Sequence, residues 1–388
     1  VVVVGGGVVG LCCAWCLTQA GADVVVLDRA DPPAGATRVA AGMLAPIGEL
    51  AFGEPELLRM TVAAAERYPD FVAGLEAASG LSSGYARHGA LHIALDRDEA
   101  AELRRVHDLQ RSLGLGAEWL PPRRCRALEP GLTPSFNGGV HAPDEAAIDP
   151  RRVTAALLAA LADSGVEVRS NVNVAASLLA GDRLEGVRTG SGEELRAAHT
   201  VLATGAWSGT EEWLPEDARP PVRPVKGQIL ELRSPDGEPP CERIIASERV
   251  YLVPRPDRRL IVGATTEERG FDATVTAGGL HELLREAYRL LPDVAEMELV
   301  EAMAGLRPGT PDNLPLIGHG EIEGLVLACG HYRNGILLAP ITGEAIAALL
   351  SNESIPDALA AADPARLTFV RNNPTKVKSA LGGSGREA

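Results

Sequence analysis

Basic charge is what this 388-residue chain is short of: 37 Lys and Arg against 52 Asp and Glu leave a formal net charge of −15. A molecule that acidic is repelled by phosphate backbones and anionic lipid, so neither nucleic acid nor a membrane is an expected partner. Cysteine is scarce as well. There are six, and Cys12, Cys13 and Cys16 crowd into little more than one helical turn, which is no disulfide framework. A reduced, cytoplasmic setting is the expectation. Cys13-x-x-Cys16 lacks a second cysteine pair or a nearby histidine, so it reads as helix packing and no metal is expected. Long apolar runs are missing too. Residues 1–22 carry no charge, but five glycines, Thr18 and Gln19 interrupt them and no basic segment precedes them, which argues against a signal peptide or spanning helix. The chain opens at Val1 without methionine, inside a predicted strand, and a leader before it is left open.

What is present is a globular balance, 46% apolar and 23% charged residues, in a length that suits two or three folding units of about 150 residues or one two-lobed enzyme. The opening reads strand (Val1 to Val4), glycine turn, helix to about Ala20, and a second strand from Asp23 to Asp28. Both strands are nearly continuous apolar runs, as a parallel sheet covered on both faces requires. An amphipathic helix over 54–80, a strand over Ala90 to Leu95 and a charged helix over 97–113 follow. Pro150 opens a further helix in the favoured first-turn position. Leu184 to Thr189 and Leu195 to Ala203 then read as strands, and Gly227 to Arg233, Arg249 to Pro254 and Arg259 to Val262 as an antiparallel sheet. A helix over 278–291, a strand ending near Met303, a turn-rich segment, the strand Leu325 to Ala328 and a last helix from Gly335 to Leu350 complete the pattern. No internal repeat is present.

Gly5-x-Gly7-x-x-Gly10 directly follows a strand and opens a helix, and Asp28 closes the next strand. In that context one glycine permits the tight turn, one lets backbone approach a pyrophosphate, and one lets the helix pack on the strand. The helix N-terminus then faces the phosphates, and the acid suits ribose hydroxyls, which disfavours a 2′-phosphate. The fingerprint alone leaves NAD and FAD open. Three further segments favour FAD: the small-residue loop Thr37 to Met43, the strand that ends Ala203-Thr204-Gly205-Ala206-Trp207, and Gly330 to Gly335, which precedes the last helix and brings a second helix N-terminus towards a ligand. A flavin disulfide reductase would need a CxxxxC pair and a second fingerprint, and neither occurs.

Taken together, Ala40-Ala41-Gly42-Met43-Leu44, Val225-Lys226-Gly227-Gln228, Tyr251-Leu252-Val253-Pro254-Arg255, Val262-Gly263-Ala264-Thr265, Gly305-Leu306-Arg307-Pro308-Gly309-Thr310 and His331-Tyr332-Arg333-Asn334-Gly335 give a chain that resembles the FAD-dependent amine oxidases of the D-amino acid oxidase superfamily, and within it the glycine oxidases that serve thiamine thiazole synthesis. The resemblance spans nearly the whole chain. It implies an α/β fold with a discontinuous Rossmann-type FAD lobe (1–85, 140–221, 301–370), an antiparallel-sheet substrate lobe (86–139, 222–300) and a flexible tail (371–388). It also implies hydride transfer from the amine Cα to flavin N5, an imine that hydrolyses or is passed on for thiazole assembly, and reoxidation by O2 to hydrogen peroxide. The carboxylate-binding arginine falls on Arg307, the substrate-site tyrosine on Tyr251 and the second active-site arginine on Arg333. Implied cofactor contacts are Gly5, Gly7, Val8, Val9, Gly10, Asp28, Arg29, Thr37, Ala41, Gly42, Met43, Val174, Thr204, Gly205, Trp207 and the run His331, Tyr332, Arg333, Asn334, Gly335, Ile336, Leu337. The FAD is expected to be non-covalent, since Gly305 to Gly318 holds no cysteine, and a homo-oligomer is expected.

The chemistry is sensible on the residues themselves. An amino acid carboxylate in a water-poor pocket needs a fixed cationic fork, and a guanidinium binds it through two parallel hydrogen bonds. Pro308 restricts Arg307 to extended backbone. Hydride transfer needs no protein base if the amine binds neutral, so the missing catalytic His or Asp is no objection. Asp312 reads as a turn residue after Gly309-Thr310-Pro311. Tyr251 as sheet packing, Arg333 as a structural ion pair and His331 as a hydrogen-bonded loop residue stay open. Two departures from the glycine oxidase pattern stand out. Arg249 replaces a polar or imidazole side chain two positions before the tyrosine, and Thr266 replaces a bulky Met after Gly-Ala-Thr. Arg249 adds positive charge and Thr266 opens space, which leaves the preferred amine open, and sarcosine or D-amino acid oxidation, or a dehydrogenase with another acceptor, is the alternative to glycine.

Overall fold

Two sheets organise the chain. The computed structural model describes residues 1–48, 53–235, 237 and 240–367; the expected tail 371–388 and positions 368–370 of the expected FAD lobe lie outside them. Five parallel strands (Leu325–Cys329, Thr200–Leu202, Val2–Val4, Val25–Leu27, Glu167–Arg169) form one sheet in that order, with Leu316–His319 antiparallel at the first edge. The alternation of side chains sorts its valines and leucines to two faces. Val3, Val26 and Val201 pack under the helices Val8–Gln19, Pro55–Ser79, Pro150–Asp163 and Gly335–Leu350. Val2, Val4, Leu27 and Leu202 pack on the other side against Leu184 and Val187 of a small antiparallel sheet (Val174–Ala180, Arg183–Thr189, Glu194–Arg196). This is why the first helix is apolar all round: it lies between the sheet and the last long helix.

The second sheet has eight strands in the order Glu298–Gly309, Arg223–Arg233, Arg259–Gly263, Tyr251–Pro254, Ile244–Ala246, Ala90–Ile93, Gly139–Ala142 and Glu118–Leu120. Helix Ala277–Leu290 covers one face through Leu283, Ala287 and Leu290. The pairs are antiparallel as expected except that Ile244–Ala246 runs parallel to Ala90–Ile93. Because Gly139–Ala142 and Glu298–Gly309 belong to this sheet, the expected lobe boundaries at 140 and 301 fall inside strands.

Three local readings change. Leu195 to Ala203 is not one strand. Glu194–Arg196 pairs with Arg183–Thr189, and Thr200–Leu202 joins the parallel sheet; side-chain alternation cannot reveal a change of partner. The loop from Thr37 to Met43 begins as a short helix, Gly35–Val39, and ends in Met43–Leu44, paired with Ala146–Ala147. The strand expected to end near Met303 continues to Gly309, because Arg223–Arg233 pairs with it along its length. Among the described residues no helix is long and apolar enough to cross a membrane.

Candidate active site

The C-terminal ends of the parallel strands and one face of the eight-stranded sheet open onto a cavity of about 760 Å³. That is where an open parallel sheet places ligands, and the size suits a bound cofactor. Gly5 has φ 113°, and a Cβ there would overlap the carbonyl of Ala203. Gly10 is buried and does not line the cavity. A Cβ on it would strike the carbonyl of Gly5, so it serves helix-on-strand packing, as the fingerprint requires. Asp28 accepts the amides of Gly6 (2.5 Å) and Ala30 (2.8 Å) through its two oxygens. The Thr37 hydroxyl takes the Val8 amide at 3.1 Å, which satisfies one of the free donors of the first helix. Arg29 lies 3.9 Å over the Trp207 ring, itself stacked on Phe271.

Every other residue expected at the site lines this cavity: Gly5, Gly7, Val8, Val9, Asp28, Arg29, Thr37, Ala41, Gly42, Met43, Val174, Thr204, Gly205, Trp207, Tyr251, Arg307 and the run from His331 to Leu337. His331 is buried, with Nε2 3.0 Å from Thr342 Oγ1. Burial alone lowers its pKa to about 4, so the ring is neutral near pH 7. Asn334 and Gly335 open the last long helix with no side-chain cap, and its first residues line the cavity. Arg333 donates to Thr266 Oγ1 at 3.3 Å.

At the far end, Arg307 and Tyr251 come together from different strands. Register puts Arg307 opposite Val225 and therefore on the same face as Gly227 two residues on, and a Cβ on Gly227 would sit within the Arg307 guanidinium. Arg307 Nη1 donates to the carbonyls of Thr265 (3.1 Å) and Lys226 (3.4 Å). Tyr251 pairs with Gly263, where a Cβ would overlap the phenol oxygen. Two glycines thus leave the space in which these two side chains lie. Beneath them Lys226 is fully buried with Nζ 3.3 Å from Glu267, whose carboxylate also accepts from Gln228 and Thr265, each at 2.7 Å.

Some lining residues carried no sequence signal. Glu211 accepts from Trp213 Nε1 at 2.9 Å, and burial raises its pKa. Glu145 is buried, accepts the Gly48 amide at 2.5 Å and stands 3.6 Å from His92. Gly227 and Gly263 were visible as motif residues, but their purpose was not, since it depends on which side chain crosses them.

A donor set of this kind fits a flavin dinucleotide: two helix N-termini, an acid at the second strand end, and glycines where a Cβ would fill the cradle. The comparisons agree. The family model for FAD dependent oxidoreductases (DAO) matches residues 1–349. A bifunctional protein ThiO/ThiG of Trichormus variabilis is 39% identical over 350 residues, 89% of this chain and 52% of that protein. The chain thus spans about half the length of that relative. The glycine oxidase of Geobacillus kaustophilus is 32% identical over 359 residues, 91% of this chain and 93% of its own. The crystal structure of glycine oxidase from Geobacillus kaustophilus superposes with a TM-score of 0.86 at 31% identity, covering 93% of this chain and 97% of that one.

Proposed function

The chain belongs to the DAO family of FAD-dependent oxidoreductases, and from that premise we propose that it oxidises glycine and other small amines to imines, with O2 as acceptor. The observation that carries the reading is Arg307. It is half-buried in the cavity, and among the described residues its hydrogen bonds go only to backbone carbonyls and no carboxylate pairs with its charge. A substrate carboxylate supplies the missing anion through paired charge-assisted hydrogen bonds. The Tyr251 hydroxyl, held over Gly263, adds a donor to the same carboxylate and closes that side to water. With the acid end fixed, the amine and its Cα are presented to the rest of the cavity, and positioning supplies much of the rate.

FAD, when bound, accepts the two electrons of the amine and passes them to oxygen, leaving hydrogen peroxide and an imine. The residues suited to hold it non-covalently are Gly5, Gly7, Val8 and Val9 at the first helix, Asp28 and Arg29 at the ribose end, Thr37 and Ala41 to Met43, Val174, Thr204, Gly205 and Trp207 along the wall, and His331 to Leu337 at the last helix. We assign Gly10 to packing of the same motif. A neutral His331 adds no charge there, so the helix N-terminus at Gly335 and the Arg333 guanidinium supply the positive potential along this run. We further assign the parallel sheet and its helices to cofactor binding and the eight-stranded sheet, with Gly139–Ala142 and Glu298–Gly309 inside it, to substrate binding, in a cytoplasmic homo-oligomer that supplies glycine imine or glyoxylate for the thiamine thiazole.

Anaerobic mixing with glycine, sarcosine, D-alanine and D-proline in turn tests this. Bleaching of the yellow flavin band by glycine, with peroxide on aeration, is expected. Bleaching by another amine alone keeps the amine oxidation and moves the substrate, and no bleaching by any amine overturns it. Arg307→Ala is expected to raise the KM for glycine by about a hundredfold with flavin still bound.

A further inference from the structure

The far end of the cavity holds more positive charge than one amino acid carboxylate uses. Arg307 is one guanidinium left for an anion. Arg249 is a second. It lies in the loop 247–250 of the hairpin that pairs Ala246 with Tyr251, and it lines the same cavity while reaching solvent. Its amide donates to Ser247 Oγ at 3.3 Å, but among the described residues its guanidinium forms no ion pair, including with its neighbour Glu248. Arg333, which also lines the cavity, donates to Thr266, the residue next to the Thr265 carbonyl that holds Arg307. Arg249 sits in the bend that leads directly into Tyr251, so the hairpin brings it to the end of the strand that carries the tyrosine.

On the amine-oxidase reading above, glycine has nothing for Arg249 to bind. The chain is also strongly acidic overall, at −15, so an anionic substrate is repelled at long range and is captured only where local cations reverse the potential. We propose that this site prefers small amines with two anionic groups: an α-carboxylate on Arg307, and a second carboxylate or a phosphonate, carried on the nitrogen or on Cα, on Arg249. The guanidinium fork suits either oxyanion and is charged at every working pH.

The test uses the FAD-loaded protein and unreactive acids, read by perturbation of the flavin absorbance and not by turnover. Oxydiacetate carries two carboxylates about an ether oxygen, and methoxyacetate carries one. Oxydiacetate is expected to bind at least about tenfold more tightly, and in Arg249→Ala that ratio is expected to fall to about one, with Arg249→Lys recovering part of it. Equal affinities in the wild type, or a ratio unchanged in Arg249→Ala, overturn the proposal. A parallel arm compares kcat/KM for iminodiacetate and glycine. If neither amine reduces the flavin, the amine-oxidase reading fails while the binding ratio still decides the role of Arg249. If glycine is oxidised and iminodiacetate is no better, the oxidase reading survives and the dianion preference falls.

Discussion

Gly227 shows how much of the site rests on an absent side chain. Its neighbours Lys226 and Gln228 are buried in a polar layer, while on the opposite face the Arg307 guanidinium occupies the space a Cβ would need. Gly227→Ala forces that guanidinium off the carbonyls of Lys226 and Thr265. The expected result is a KM for glycine raised about tenfold with flavin content unchanged, measured by steady-state kinetics beside the flavin spectrum. A change in kcat alone would point to a different role for the residue. Arg255 shows the same dependence on context. It is almost fully buried, donates to the carbonyl of Ala41, and its pKa is lowered to about 10 by burial. The motif from Tyr251 to Arg255 therefore serves two neighbours, with its tyrosine in the cavity and its arginine bracing the Ala41 to Met43 segment.

Between elements, the contact that decides the first lobe is the crossing of helix Val8–Gln19 with helix Gly335–Leu350. Gly343 lets them approach closely, since a Cβ there would press on the carbonyl of Cys12 and on Cys16 Sγ. The cysteines of that helix are accordingly packing residues, and burial pushes the Cys16 thiol up to about 12, far from a reactive thiolate. Gly343→Val overpacks the crossing and is expected to cost about 2 kcal/mol, read as a lower denaturant midpoint with an unchanged slope. Because both helices begin at the cavity, the same variant is expected to weaken flavin retention; full stability would show that the crossing yields without strain. The packing role of the Cys13-x-x-Cys16 pair was visible in the sequence, but which helix it met was not, since more than 300 residues of sequence lie between the partners.

For the molecule as a whole, the joint between the helical layer and the eight-stranded sheet centres on Asp149. Its side chain caps helix Pro150–Asp163 by accepting from the amides of Arg151 (3.0 Å) and Arg152 (3.4 Å), and its other oxygen accepts from Arg259 Nη2 in the sheet at 2.6 Å. Burial raises its pKa, but the Arg259 hydrogen bond and the charges of Arg255 and Arg259 outweigh that and leave it below the ordinary aspartate value. A carboxyl depressed in the folded state stabilises the fold above its unfolded pKa of about 3.9, and the contribution is lost as pH falls through the folded value. Asp149→Ala is expected to cost about 3 kcal/mol at pH 7 and less as pH falls below the ordinary aspartate range through the folded value, checked by denaturant melts across that range. An equal loss across the range would remove the ion pair from the account. Arg151 adds a second link across the joint, 2.8 Å from Glu301.

Local chemistry was enough to read the strand, glycine turn, helix and acid at the start of the chain and the long helices, while Arg307, Tyr251 and Arg333 were singled out by the family resemblance of the short motifs that carry them. Each of these depends on hydrophobic period, turn chemistry or residue types a few positions apart, and such terms act over a few residues of sequence. Strand partners do not. The split of Leu195 to Ala203 between two sheets, the extension of the Arg307 strand to Gly309 and the parallel pairing of Ile244–Ala246 with Ala90–Ile93 were set by long-range pairing. Tertiary structure alone brought Gly227 under Arg307, Gly263 under Tyr251 and Arg249 to the same cavity. A side chain's space and its unanswered charge belong to its neighbours in three dimensions, and a sequence lists neighbours in only one.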